Sequence, residues 1–477
     1  MNAAQMNAAQ TPSPRSRKSL GPWILYLSAL VLFAWPYGYF GAIVILEANV
    51  NPKLRNQDAY LDAVYRSASA DAEPGKPSIL GDATRAFPHY TDGVVDPLFP
   101  WLLRGYVGES PEVLFAAGKW MNFILSAVVL AIFALAAARA FSFTGAAAAV
   151  LMGGFGVILE RSGFFNSDAL YFLLVVMTWL CALSLIRQNV LWLYGVFGVL
   201  IGLSYLAEPY IWPVVAGFVA VSLIRSLWIS FSSRRNKGDT GLWTPSNQIV
   251  GFAMMIAAFL LVTGPRLTYA GKAFGDPFHS YHRYFVWLDS PAEAAQFRQA
   301  HPSKAQLEAI APGEAPGMQR FLREKGSVAL LARGWEGALA QVKSSVLGRG
   351  GWILGYGFFV FAVIAGIHRW AVWHQEDEVW RVRGTSARWM LLFLALVLAI
   401  TLFYAGVGNA AFPENPMTTS LFLPVLLTFI WISERYRRQL QRTRYVTLVN
   451  RVYAALMGGA ILWITIRIID SIQTPVA

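Results

Sequence analysis

Along the chain, apolar residues gather into blocks about as long as a bilayer is thick, parted by brief polar breaks. The blocks predict eleven transmembrane helices, over about 22–46, 112–138, 142–159, 166–186, 191–206, 209–229, 248–264, 350–370, 388–407, 417–433 and 452–469. The fifth and sixth are divided at Ala207-Glu208-Pro209, where a charge and a proline interrupt the apolar run. Two long segments fall between spans, about 47–111 and 265–349, and their pattern differs. Leu61, Val64, Tyr65 and Ala68 recur at helical spacing in a polar background, which predicts a short amphipathic helix on the membrane surface. Ser290-Pro291-Ala292-Glu293 is a capping box with proline at the first helical position; it opens a helix through about Ala300, and 318–346 reads as further amphipathic helix. The expected fold is an all-α polytopic membrane protein with two long extracytoplasmic loops. Its parts are a disordered cytoplasmic leader (1–21, beginning with a doubled MNAAQ), one membrane domain (22–470) and a tail (471–477).

Composition agrees. Only 14% of the 477 residues are charged, about half the share of a soluble domain, and 56% are hydrophobic. The single cysteine, Cys181, excludes an internal disulfide, and it sits inside an apolar run, as a packed thiol does. The net charge of +12 is unevenly spread. With the amino terminus in the cytoplasm, that side holds 19 Lys/Arg against 5 Asp/Glu; everything else holds 20 against 22. The basic excess therefore reports orientation by the positive-inside rule, and no nucleic-acid partner is needed to explain it. The expected location is the plasma (inner) membrane, with multiple passes, the amino terminus inside and both long segments outside.

Chemistry is expected where those segments carry ionisable groups. Asp58, Asp62 and Arg66 lie four apart on one helical face, and Asp62–Arg66 can also be read as a solvated ion pair. Lys119, Glu160-Arg161, Asp168 and Glu208 are embedded or nearly so. A charge at mid-bilayer is costly and normally faces a polar cavity, while Glu160-Arg161 reads equally as a loop ion pair and Asn166-Ser167-Asp168 as a helix N-cap. His279, His282 and Arg283 share one face if that stretch is helical, and with Arg266 they suit a phosphate. The sequence has no nucleotide-binding signature, so a glycosyl or phosphoryl donor used outside would be carried by lipid.

These residues also carry a resemblance. A basic leader, one anchor and a loop opening on an acid resemble the membrane-embedded glycosyltransferases of the GT-C class. So do Pro97-Leu98-Phe99-Pro100, Gly118-Lys119-Trp120-Met121-Asn122, Asp168 at the head of a later span, and the stretch from Phe274-Gly275-Asp276 to Trp287-Leu288-Asp289-Ser290. The pattern is similar to the family 39 type, the protein O-mannosyltransferase and aminoarabinose transferase group; architecture covers most of the chain, motifs only about 56–122 and 264–290. The resemblance implies transfer of a sugar from a polyprenyl-phosphate donor to an acceptor (glycolipid, polysaccharide or protein) on the extracytoplasmic face. The family's first-loop motif is a pair of acids, whereas this chain has Gln57-Asp58. Asp58 alone then matches the catalytic acid and is also the tentative ligand of a divalent metal, Mg or Mn. Asp62, Arg104, Lys119, Glu160, Asp168, Arg266, His279, His282 and Arg283 are the substrate-binding candidates. Two other classes compete: a transporter or flippase of a lipid-linked saccharide, and a non-catalytic membrane assembly subunit.

Overall fold

A computed structural model describes residues 34–43, 51, 57–70, 87–233, 245–301, 304–311, 314–347, 352–373, 385–408, 420–441 and 443–473. The 1–21 leader, most of the first predicted span and residues 474–477 of the tail lie outside the described residues. Within them the chain is helical and contains no strand. The helices are α1 (34–43), α2 (Gln57–Ala70), α3 (Leu98–Leu103), α4 (Pro111–Ala140), α5 (Phe143–Gly153) and α6 (Leu159–Ser162). They continue as α7 (Asp168–Gln188), α8 (Leu191–Ala207), α9 (Trp212–Ser233), α10 (Pro245–Phe274), α11 (His282–Phe285) and α12 (Pro291–Ala300). The rest are α13 (Lys304–Glu308), α14 (Met318–Leu347), α15 (Trp352–Trp373), α16 (Thr385–Val407), α17 (Phe422–Leu440) and α18 (Val446–Gln473).

Among the described residues, seven stretches are helical, long and apolar enough to cross a membrane: Pro111–Ala140, Asp168–Gln188, Pro209–Phe231, Asn247–Phe274, Ile353–Ala371, Arg388–Val407 and Val446–Ile466. Shorter apolar helices occupy Phe143–Gly153 and Leu191–Ala207. The sequence places a break at Glu208, and the backbone there is extended (φ −158°, ψ 133°) before Pro209 opens a turn of 3-10 helix. The boundary that differs most closes the seventh span. The second outer segment was expected to begin at 265, yet α10 runs through Pro265 to Phe274. A proline inside a helix removes one backbone donor without forbidding its continuation when tertiary contacts hold the next turn, and Arg266, directly after it, is fully buried.

Packing follows small residues. A side chain at Gly198 would strike the Met255 carbonyl, and one at Gly202 would press on Val262, so α8 and α10 approach backbone to backbone. The register advances together in both helices, which makes them parallel. The same holds for α15 and α17: Gly357 meets Leu426, Phe361 stacks on Phe429, and His368 stacks on Tyr436. In each pair one apolar helix intervenes in sequence, as a chain threading back and forth across a bilayer requires. Trp179 of α7, buried 4.6 Å from the Phe393 ring of α16, ties the two halves of the bundle.

Candidate functional site

The first polar helix after α1 is fixed by its buried face. Gln57 is wholly buried; its Oε1 accepts the Phe165 N–H at 2.6 Å and its Nε2 donates to the Asn51 carbonyl at 2.9 Å. Three residues on, the Tyr60 hydroxyl donates to Glu208 Oε1 at 2.6 Å and lies 2.7 Å from Ser167 Oγ, which also bonds Glu208. The residues between and beyond, Asp58 and Asp62, face outward. Burial raises the Glu208 carboxyl above the ordinary carboxylate range, and the nearby charge of Asp96 reinforces the rise. Asp96 is raised by its own burial, with Arg266 opposing. Arg266 donates to the carbonyls of Pro277 and His279 at 3.2 and 2.9 Å, and pairs with Asp96 at 3.4 Å.

The two long segments meet beside this network. Asp92 Oδ1 accepts from the N–H groups of Val94 and Val95, a tight turn that presents the Gly93 carbonyl to Tyr281 N–H at 2.8 Å. Gly93 has φ +78°, and a Cβ there would press on the Tyr281 ring, so both backbone conformation and space call for glycine. Between the segments lies a cleft of about 740 Å³, within the range of small-ligand sites. One wall is α2 with Asp58, Asp62 and Arg66; the turn adds Tyr90 and Asp92. The other is the end of α10 (Tyr269, Phe274), then Tyr281, His282 and Phe285, and finally α12 with Arg298.

The cleft's charges are not equally engaged. Arg66 sits 3.5 Å from Asp62 and 3.9 Å from Asp92, so its one positive charge is shared between two carboxylates. Asp58 is exposed; its Oδ1 accepts the neighbouring Ala59 N–H, and among the described residues no cation pairs with it. Arg298 likewise has no carboxylate partner among the described residues. Burial pushes His282 down to about 4, so its imidazole is neutral near pH 7 and can donate or accept but adds no charge.

Of the residues singled out in the sequence, the cleft receives Asp58, Asp62, Arg66 and His282. His279, His282 and Arg283 do not share a helical face, because α11 begins only at His282. His279 instead stacks on Phe274, with burial and the Arg283 charge holding it neutral at about 4, and Arg283 is paired with Asp276. Arg266 is spent on carbonyls inside the protein. Arg104 lies over Trp101, Lys119 is buried over Phe115, and Asp168 pairs with Arg161 at 3.5 Å. Glu160 falls in the single turn of α6. Tyr60, Asp96 and Arg298 were not singled out, and Ser167 was read only within a helix N-cap: the tyrosine, aspartate and serine look ordinary until distant segments converge on them, and Arg298 resembles any basic residue in a surface helix.

For a divalent metal the donor set is poor. Among the described residues no group of three or more His, Cys, Asp or Glu is placed to hold one, and two of the three cleft aspartates are engaged with Arg66. No family model, curated protein or solved structure matches this chain.

Proposed function

We propose that the protein is a membrane glycosyltransferase of GT-C type, moving a sugar from a polyprenyl-phosphate donor to an acceptor hydroxyl in the cleft. The observation that carries this reading is Asp58: an exposed carboxylate without an ionic partner among the described residues, on a cleft shared by both long segments. In this mechanism Asp58 takes the proton of the acceptor hydroxyl as its oxygen attacks the anomeric carbon. The carbon–oxygen bond to phosphate breaks, and the prenyl phosphate leaves with the electron pair. Arg298 stabilises the charge that develops there. The prenyl chain stays in the bilayer between spans. The uneven charge along the sequence supports an amino terminus in the cytoplasm and a cleft outside, and the membrane we propose is the plasma (inner) membrane.

The test is transfer from a panel of radiolabelled polyprenyl-phosphate sugars to a membrane extract, using purified wild type and Asp58→Asn. A positioned base contributes about 10²–10⁴-fold, so the variant is expected to fold, bind donor lipid and lose turnover on that scale. Undiminished transfer by Asp58→Asn refutes the assignment. Movement of the labelled lipid between leaflets without transfer supports a flippase instead.

A further inference from the structure

We infer that α14 is seated in the membrane interface, with its apolar stripe immersed in lipid. The helix is kinked at Gly326, where φ is +80°, and its longer arm runs from Ser327 to Leu347. On one side of that arm Val328, Leu331, Trp335, Leu339 and Val342 are between 40% and 79% exposed. Their spacings of three, four, four and three residues make a single stripe along the helix. The other side is closed. A Cβ at Gly337 would strike the Gly406 carbonyl and one at Gly334 the Phe403 ring, so this face is packed tightly against α16. No other described residue covers the stripe.

The bilayer is the occupant that fits. Arg388–Val407 of α16 is one of the helices apolar and long enough to cross a membrane, and α14 meets it near that span's Val407 end. There the span itself shows exposed apolar side chains, Phe403 and Tyr404, so the α14 stripe continues a surface already turned to lipid. An indole in the middle of the stripe suits the layer between headgroups and acyl chains. Lys343 and Glu336, both exposed, flank the stripe on one side, where they reach the aqueous layer. The longer arm lacks the unbroken apolar run of a span but has the one-sided pattern of a helix lying in the interface.

The consequence reaches the cleft. Arg333 donates to Val407 O at 2.7 Å, to Leu288 O at 2.6 Å and to Val286 O at 3.2 Å, and pairs with Asp289 at 2.6 Å. Through it, the segment bearing His282 and Phe285 is tied to the depth at which α14 sits.

The chain's only native cysteine, Cys181, is buried, which leaves a clean background for labelling. Nitroxide labels at Leu331→Cys, Trp335→Cys and Leu339→Cys, in the full-length protein in lipid vesicles, are compared with one at Glu324→Cys, an exposed polar site before the kink. The expected result is high collision with oxygen at all three stripe positions and collision with a water-soluble nickel chelate several-fold below that at 324. Chelate collision equal to that at 324 overturns the proposal in favour of water. Low collision with both probes overturns it in favour of a protein partner. If labelled variants fail to fold, Trp335→Phe in brominated lipid decides: the wild type must lose a quenchable fluorescence component that the variant lacks, and equal quenching refutes.

Discussion

Replacing Tyr60 by Phe removes one hydroxyl and leaves the ring free to keep its edge-on contact with Phe99, 5.7 Å between centroids. That hydroxyl donates to Glu208 at 2.6 Å and touches Ser167 Oγ at 2.7 Å. A hydrogen bond to a charged partner is worth about 1.5–3 kcal/mol, a neutral one about 1 kcal/mol. Burial places the folded pKa of Glu208 above its unfolded value, so its contribution to stability is complete below the ordinary glutamate range. The contribution is lost as pH rises through the raised folded value. Without the Tyr60 donor the anion is still less well solvated, and the loss with rising pH steepens. The expected destabilisation is about 1 kcal/mol in acid, where the carboxyl is protonated, growing to about 2–3 kcal/mol in alkali. Unfolding midpoints of wild type and variant in detergent, compared from about pH 5 to about pH 9, read the difference. A gap that stays constant or narrows toward high pH refutes the view that Tyr60 serves as donor to a buried carboxylate; in a Glu208→Gln background the gap must be flat.

Gln57→Glu restores the paired acids that the resemblance leads one to expect, yet position 57 needs a donor as well as an acceptor. The change forfeits the bond to Asn51 O and buries a charge, so the midpoint should fall by the equivalent of about 1–3 kcal/mol; unchanged stability with increased transfer would reverse this account. Arg266 and Arg283 were grouped by sequence but should separate by mutation. Arg266→Ala strips a buried ion pair and two carbonyl bonds, a loss of about 3–5 kcal/mol. Arg283→Ala breaks a half-exposed pair worth about 0.2–1 kcal/mol, and similar expression and melting of the two variants would refute the distinction.

What was legible in the sequence was whatever depends on local pattern. The apolar blocks at 166–186 and 191–206 fall within two residues of the helices Asp168–Gln188 and Leu191–Ala207, because burial or lipid contact of a continuous run leaves the backbone little alternative, whereas α10 overruns its expected end to Phe274. The break at Glu208 and the amphipathic helix beginning at Gln57 were visible for the same reason. Helical spacing misled at 279–283, where a stacked His279 and a turn at Asp276-Pro277 delay the helix until His282. The Tyr60–Ser167–Glu208 cluster joins positions more than a hundred residues apart, and nothing local distinguishes a buried tyrosine donor from an interfacial one. Arg298 became notable only when Arg266 and Arg283 proved to be engaged elsewhere and α12 proved to line the cleft.

The two walls of the cleft are held by different chemistry, and the difference bears on how a lipid-borne substrate could be used. The α2 wall is pinned by buried bonds from Gln57 and Tyr60 to residues at the ends of membrane helices, in a setting where an unmade bond is costly. The α12 wall is attached through the Tyr281–Gly93 bond and the Arg333 clamp, partly at the surface and therefore easier to loosen. A prenyl-phosphate sugar presents its reacting bond at the boundary between acyl chains and water, at a height set by the bilayer. A catalytic carboxylate useful to such a substrate must be held at that height. In the proposed transfer Asp58 is the carboxylate so held, since Gln57 beside it and Tyr60 two residues on are bonded to the bundle. The opposite wall meets it only if its own support is fixed in depth. An α14 immersed along its apolar stripe and joined to residues 286–289 by one guanidinium supplies that support without a further span.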